Sequence, residues 1–137
     1  MKNGYTHASI VLTGVLTGIV IAVSLGLTGC AKEPQKEVSF SKDIRPIIDA
    51  NCIKCHAPGG QGYEASGLNM QSYESLMKGT KFGPVIKPGD ALSSTLARLI
   101  AGKADPSINM PHGDNEPLSS EQIKLFEQWI NQGAKNN

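Results

Sequence analysis

Two thiols and an imidazole stand within five residues of one another in residues 51–60, NCIKCHAPGG. Cys52, Cys55 and His56 have the spacing C-x-x-C-H, which suits covalent attachment of a c-type haem. The two thiols can form thioethers to the haem vinyl groups, while the adjacent imidazole takes one axial position on the iron. Other uses of the motif fit less well. The chain has three cysteines, and Cys30 lies in a segment of different character, so a single pair remains. A structural zinc site takes four ligands, and His112 is the one other histidine beyond the N-terminal segment. A thioredoxin-type redox pair sits beside a βαβ pattern, and no parallel-strand runs occur. An isolated disulfide makes no use of His56. One covalently attached haem c is therefore the expected cofactor.

Iron has a further axial position, and Met70, Met77, Met110 and His112 are the side chains to consider for it. Met77 stands beside Leu76 at the end of a short predicted helix, and Met70 alternates with Leu68 toward the interior, so both read as core filling. Met110 lies in KADPSINMPHGDNEP, residues 103–117, a polar stretch with little reason to bury a thioether. A soft side chain isolated in such a loop suits an axial ligand. His112, which otherwise reads as a solvated loop histidine, is the alternative distal ligand, and an open site is the third possibility.

The N-terminus bears on the compartment. Lys2 precedes an apolar run without charge over residues 8–27, ending at Leu27-Thr28-Gly29-Cys30. A charged n-region followed by an apolar h-region is a secretory signal. A run of about twenty residues is also long enough to span a bilayer as an uncleaved helix. The last four residues resemble the lipobox of bacterial lipoproteins, which implies cleavage before Cys30 and lipidation of its sulfur. Either reading tethers the domain to a membrane on the non-cytoplasmic side, where c-type haem attachment takes place in bacteria. Ala31 lacks the Asp associated with inner-membrane retention, so the resemblance implies an outer-membrane address facing the periplasm.

The expected organisation is a signal peptide at 1–29, a lipidated Cys and polar tether at 30–38, and one domain at 39–137. Removing 29 of 137 residues leaves 108, and with Lys2 gone the 13 Lys+Arg become 12, matching 12 Asp+Glu. A formally neutral chain without a basic patch excludes a nucleic-acid-binding role. The tether AKEPQKEV spans about 15 Å as a flexible chain and about 28 Å at full extension. A core of this size is modest, so burial around a haem is expected to add much of the stability, and the haem-free chain to fold poorly.

The domain reads as all-α. Ile44, Ile47 and Ile48 share a helical face, with Ser41 or Asp43 as N-cap and Pro46 tolerated in the first turn. A second helix is predicted from a cap at Ser72 to a stop at Gly79. A third runs from near Ser93 to Gly102, with an apolar stripe of Leu92, Leu96, Leu99 and Ile100. The last has Ser119 and Gln122 as a capping box, Ile123, Phe126, Trp129 and Ile130 on one face, and Gly133 as the stop. Phe126 and Trp129 are expected to pack against the first helix. FGPVIKPGD reads as an extended loop. The glycines of APGGQG lack the strand-and-helix context of a nucleotide-binding loop; they let the backbone turn sharply or pass close to the haem. Arg98 reads as a solvated surface residue.

Over residues 40–134 the chain resembles the planctomycete-type monohaem cytochromes c, and more distantly the class I cytochrome c fold. The resemblance is carried by FSKDIRPII before CIKCH, GLNMQSYESLMKG, VIKPGD followed by STL, Met110-Pro111, and LSSEQI leading to WINQGA. It implies three to five helices wrapped around one covalently bound haem, with Cys52 and Cys55 as thioethers, His56 as proximal ligand and Met110 as distal ligand. The function implied is a membrane-tethered electron carrier between redox partner proteins of the cell envelope, not an enzyme. A haem enzyme or gas sensor with an open distal site, and a fixed haem subunit of a larger electron-transfer complex, are the alternatives.

Overall fold

A computed structural model of the chain describes residues 35–113 and 115–137. Lys2, the apolar run at 8–27 and Cys30 lie outside the described residues, and so do the signal and lipidation expectations that fall on them.

A π turn, Phe40–Ile44, runs directly into helix α1, Arg45–Asn51. Helices α2, Gln61–Ser66, α3, Tyr73–Lys78, and α4, Thr95–Ile100, follow. A 3₁₀ turn at Pro106–Ile108 then precedes the longest helix, α5, Ser120–Asn131. Among the described residues there is no strand, and one isolated bridge, Thr80 to Gly83, closes a tight turn. The all-α expectation holds.

The first helical segment begins earlier than its sequence suggests. Ser39 is the N-cap, its Oγ accepting from the Lys42 amide at 3.3 Å, while the Asp43 carboxylate accepts from the Ser39 amide at 2.8 Å. The expected cap at Ser41 or Asp43 is thereby corrected. Pro46 explains the wide turn: it has no N–H to give to the Lys42 carbonyl, and its ring pushes that carbonyl away. Pro46 therefore sits within a continuous helical segment that starts before it. Ile44, Ile47 and Ile48 are all buried, as their spacing predicts.

The core is centred on α5. Phe126, Trp129 and Ile130 are buried, and the Phe40 ring lies 5.5 Å from Trp129 and 5.2 Å from Tyr73. Each polar handle on these aromatic groups is satisfied. The Trp129 indole N–H donates to the Lys135 carbonyl at 2.9 Å, and the Tyr73 hydroxyl donates to the Ala134 carbonyl at 2.7 Å. Backbone groups of the first segment close onto the last residues. The Ser41 amide donates to the Asn137 carbonyl at 2.9 Å, Phe40 to the Asn137 side chain at 2.8 Å, and Val38 to the Gln132 side chain at 2.7 Å.

Helix α3 has the predicted cap at Ser72, completed by Ser75 in a capping box, and ends at Gly79. Helix α5 has the predicted Ser119–Gln122 capping box. Helix α4 is shorter than its pattern suggests, and its stripe needs correction: Leu96 and Ile100 are buried, but Leu92 is 81% exposed. The reason lies in Ser94, whose buried hydroxyl accepts from the Lys87 amide and donates to the Asp90 carbonyl, both at 2.8 Å. That local turn occupies residues 90–94 and turns Leu92 outward before the helix begins.

Truncating Trp129 removes the centre of this aromatic cluster. Trp129→Ala should cost about 3–5 kcal/mol, whereas Tyr73→Phe, which deletes one hydrogen bond, should cost about 1 kcal/mol. Denaturant unfolding of the haem-loaded protein measures both, and equal losses would contradict the placement of Trp129 at the centre.

Candidate haem site

The C-x-x-C-H residues continue the turn at the end of α1. The Cys52 amide donates to Ile48 at 2.9 Å, and the amides of Cys55 and His56 donate back to the Cys52 carbonyl at 3.1 and 2.9 Å. Both thiols are free and half-buried. Burial, reinforced by the negative charge of Asp49 and by Cys55, pushes the Cys52 thiol up to about 11.

His56 is buried, and its backbone is fixed from two sides. The Met70 amide donates to its carbonyl at 2.8 Å, and the Tyr63 amide of α2 donates to the Cys55 carbonyl at 2.9 Å. Burial lowers the imidazole pKa; the Leu68 backbone opposes that shift. The buried Nδ1 has no partner at hydrogen-bond geometry. A buried, neutral imidazole with an unpartnered nitrogen has a lone pair to give, which is what a metal ligand requires.

Met110 is half-buried and packs against the core, its amide donating to the Leu99 carbonyl at 3.1 Å. The next residue, Pro111, shares a cleft of about 100 Å³ with Ala50, Asn51, Lys54 and Cys55. Pro111 and Cys55 thus meet across one cleft, whose lining includes neither Met110 nor His56. His112 is exposed, and Arg98 is exposed beside Lys103 and Glu127. Met70 is buried and Met77 packs on the core, as the core reading of both predicts.

Two free thiols and a buried imidazole with an unpartnered nitrogen, all in one turn, form a donor set that fits the attachment of haem c. The cleft is smaller than the ~300 Å³ at the low end of small-molecule pockets. Among the described residues, the loop at 103–117 is tied to α4 by the Lys103 amide on the Arg98 carbonyl at 2.9 Å and the Met110 amide on the Leu99 carbonyl at 3.1 Å, and to α5 by the exposed Lys103–Glu127 ion pair at 3.3 Å.

The sequence reading missed α2. Its short run QGYEAS follows two glycines and has no apolar period, so no helix is predicted there. The signal available was Gly67, the left-handed C-cap that ends it.

The neutral imidazole has a pH signature. In the unfolded chain His56 takes up a proton near 6.5, whereas the folded chain holds it neutral to lower pH. The stability this contributes to the haem-free fold is present above pH 6.5 and is lost as pH falls toward the lowered folded value. Because the haem-free chain is expected to fold poorly, the readout is residual helicity: its circular-dichroism signal should fall between pH 7 and pH 5, and the fall should shrink in His56→Gln.

Comparison with known proteins agrees with the donor set. Residues 52–114 match the family described as planctomycete cytochrome C. The chain is also similar to hydrazine synthase subunit alpha of Kuenenia stuttgartiensis, 26% identical over 133 residues. That similarity covers 78% of this chain and 16% of the relative, so the chain spans a small part of that protein's length. No solved structure matches the chain significantly. Residues 52–114, which include the C-x-x-C-H turn and Met110, are thus similar to planctomycete cytochrome c, and the cofactor that this family implies is covalently bound haem c.

Proposed function

We propose that the protein is a membrane-tethered carrier of single electrons, with His56 and Met110 as the axial ligands of one haem c. The observation that carries this reading is the C-x-x-C-H turn, with its free thiols and buried imidazole, inside the segment matched to the cytochrome family. When bound, haem c supplies a reversible one-electron couple.

The chain's own residues set the conditions for that couple. Cys52 and Cys55 hold the macrocycle covalently, so it cannot dissociate outside the cytoplasm. His56, kept neutral by burial, presents a nitrogen lone pair without first losing a proton. Met110 offers a soft thioether, a donor that favours ferrous over ferric iron and raises the potential. With His56 and Met110 both ligating, a bound haem would have no position open to substrate, which suits a carrier. Ile47, Ile48 and Leu68, buried around this turn, exclude water and favour the less charged oxidation state.

The lipobox-like Leu27-Thr28-Gly29-Cys30 and the tether behind it support a lipid anchor at Cys30 on the non-cytoplasmic side, facing the periplasm. With a tether of about 15 Å, the electron donor and acceptor are membrane proteins or proteins that dock at the membrane surface. A second reading is favoured by the similarity to an enzyme subunit: a haem module working at a fixed place in a redox complex. In that case the protein co-purifies stoichiometrically with its complex, while a carrier is released as a single species.

Met110→Ala should abolish the weak near-red absorption band of an iron–thioether bond in the oxidised protein and lower the reduction potential. Each tenfold loss of ferrous preference lowers it by about 59 mV. His112→Ala should leave both unchanged. Rapid carbon monoxide binding to untreated reduced wild type would instead indicate an open distal site. For the anchor, Cys30→Ser should move the protein from the membrane pellet to the soluble fraction; unchanged pelleting would point to a retained helix.

A further inference from the structure

Helix α2 approaches His56 through a residue with no side chain. A Cβ built on Gly62 would stand 2.7 Å from the imidazole Cε1 and 3.0 Å from each ring nitrogen. These distances place Gly62 over the face of the ring at Cε1, about equally far from Nδ1 and Nε2. The neighbouring glycines do other things. Gly59 has φ +86° with open space around it, so it serves conformation. Gly60 passes the backbone of Cys55, where a Cβ would meet the carbonyl oxygen at 2.5 Å.

Gly62 has no such backbone requirement. It lies inside α2, where alanine is the better helix former. Its presence is therefore explained by what it touches. The helix also cannot retreat to make room. The Tyr63 amide is bonded to Cys55 at 2.9 Å, the Ser66 hydroxyl to the Gly62 carbonyl at 2.6 Å, and the Lys81 amide to the Ser66 carbonyl at 2.9 Å. The backbone of His56 is held as well, its carbonyl accepting from the Met70 amide at 2.8 Å.

We propose that Gly62 is a positioning residue for the proximal imidazole: its bare Cα sets how far the His56 ring can rotate toward α2, and hence the orientation of the imidazole plane over the haem. The inference rests on His56 being an axial ligand. A residue one helix away then tunes overlap between the imidazole and the iron without touching either haem or metal.

The haem-loaded protein tests this by nuclear magnetic resonance. In the reduced, diamagnetic form, the His56 ring protons should be shifted far upfield by the haem ring current, and Hε1 should show a cross-relaxation peak to the Gly62 α-protons. In the oxidised form, the spread and order of the four haem methyl resonances report the plane of the axial imidazole. Gly62→Ala should change that pattern, whereas Gly59→Ala, strained but remote from the ring, should leave it as in wild type. Ring protons without the upfield shift would remove His56 as ligand and the proposal with it. Shifted ring protons without the Gly62 contact would overturn the proposal alone, as would a folded Gly62→Ala protein with the wild-type methyl pattern. If Gly62→Ala does not fold, the wild-type contact decides.

Discussion

The structure depends on the closure of its first helical segment onto its last. Phe40 and Trp129 stack at 5.5 Å, and the backbone of residues 38–41 is bonded to residues 132 and 137. A domain this small buries limited apolar area, so joining segments nearly a hundred residues apart removes much of the freedom of the chain between them. The site hangs from that joint. Helix α1 runs from the buried aromatic cluster to Cys52, and the C-x-x-C-H turn is the next turn of the same rod.

Beyond the rod, the site is assembled by loops that depend on backbone bonds more than on side-chain packing. The segment from Ala57 to Met70 wraps His56, with the Met70 amide on its carbonyl and α2 beside its ring. The segment from Lys103 to Pro117 reaches the end of α1 through Pro111, which shares a cleft with Ala50, Asn51, Lys54 and Cys55.

Elements with an apolar period and caps were legible in the sequence. Helix α5 and helix α3 carry capping boxes and stops that their residues state directly, and the isoleucines of the first segment are buried as their spacing requires. The C-x-x-C-H motif is legible because three chemically distinct residues at fixed spacing have few joint uses. The misreadings have physical causes. The Ser39 cap was hidden because Pro46 widens the turn between them, a distortion that periodicity does not carry. Leu92 was placed in a stripe because nothing local shows that the Ser94 hydroxyl would bond outside its helix. Helix α2 escaped because its role is to bring a glycine to an imidazole, and a missing side chain has no period.

The bonds between residues 38–41 and residue 137 carry one more consequence. They bring the two ends of the folded body side by side, so the body could be spliced into a loop of a larger chain with short connections and little disturbance to the host. With residues 38–41 and 137 adjoining, entry to and exit from this body lie together, so a host loop would not need to stretch to hold it.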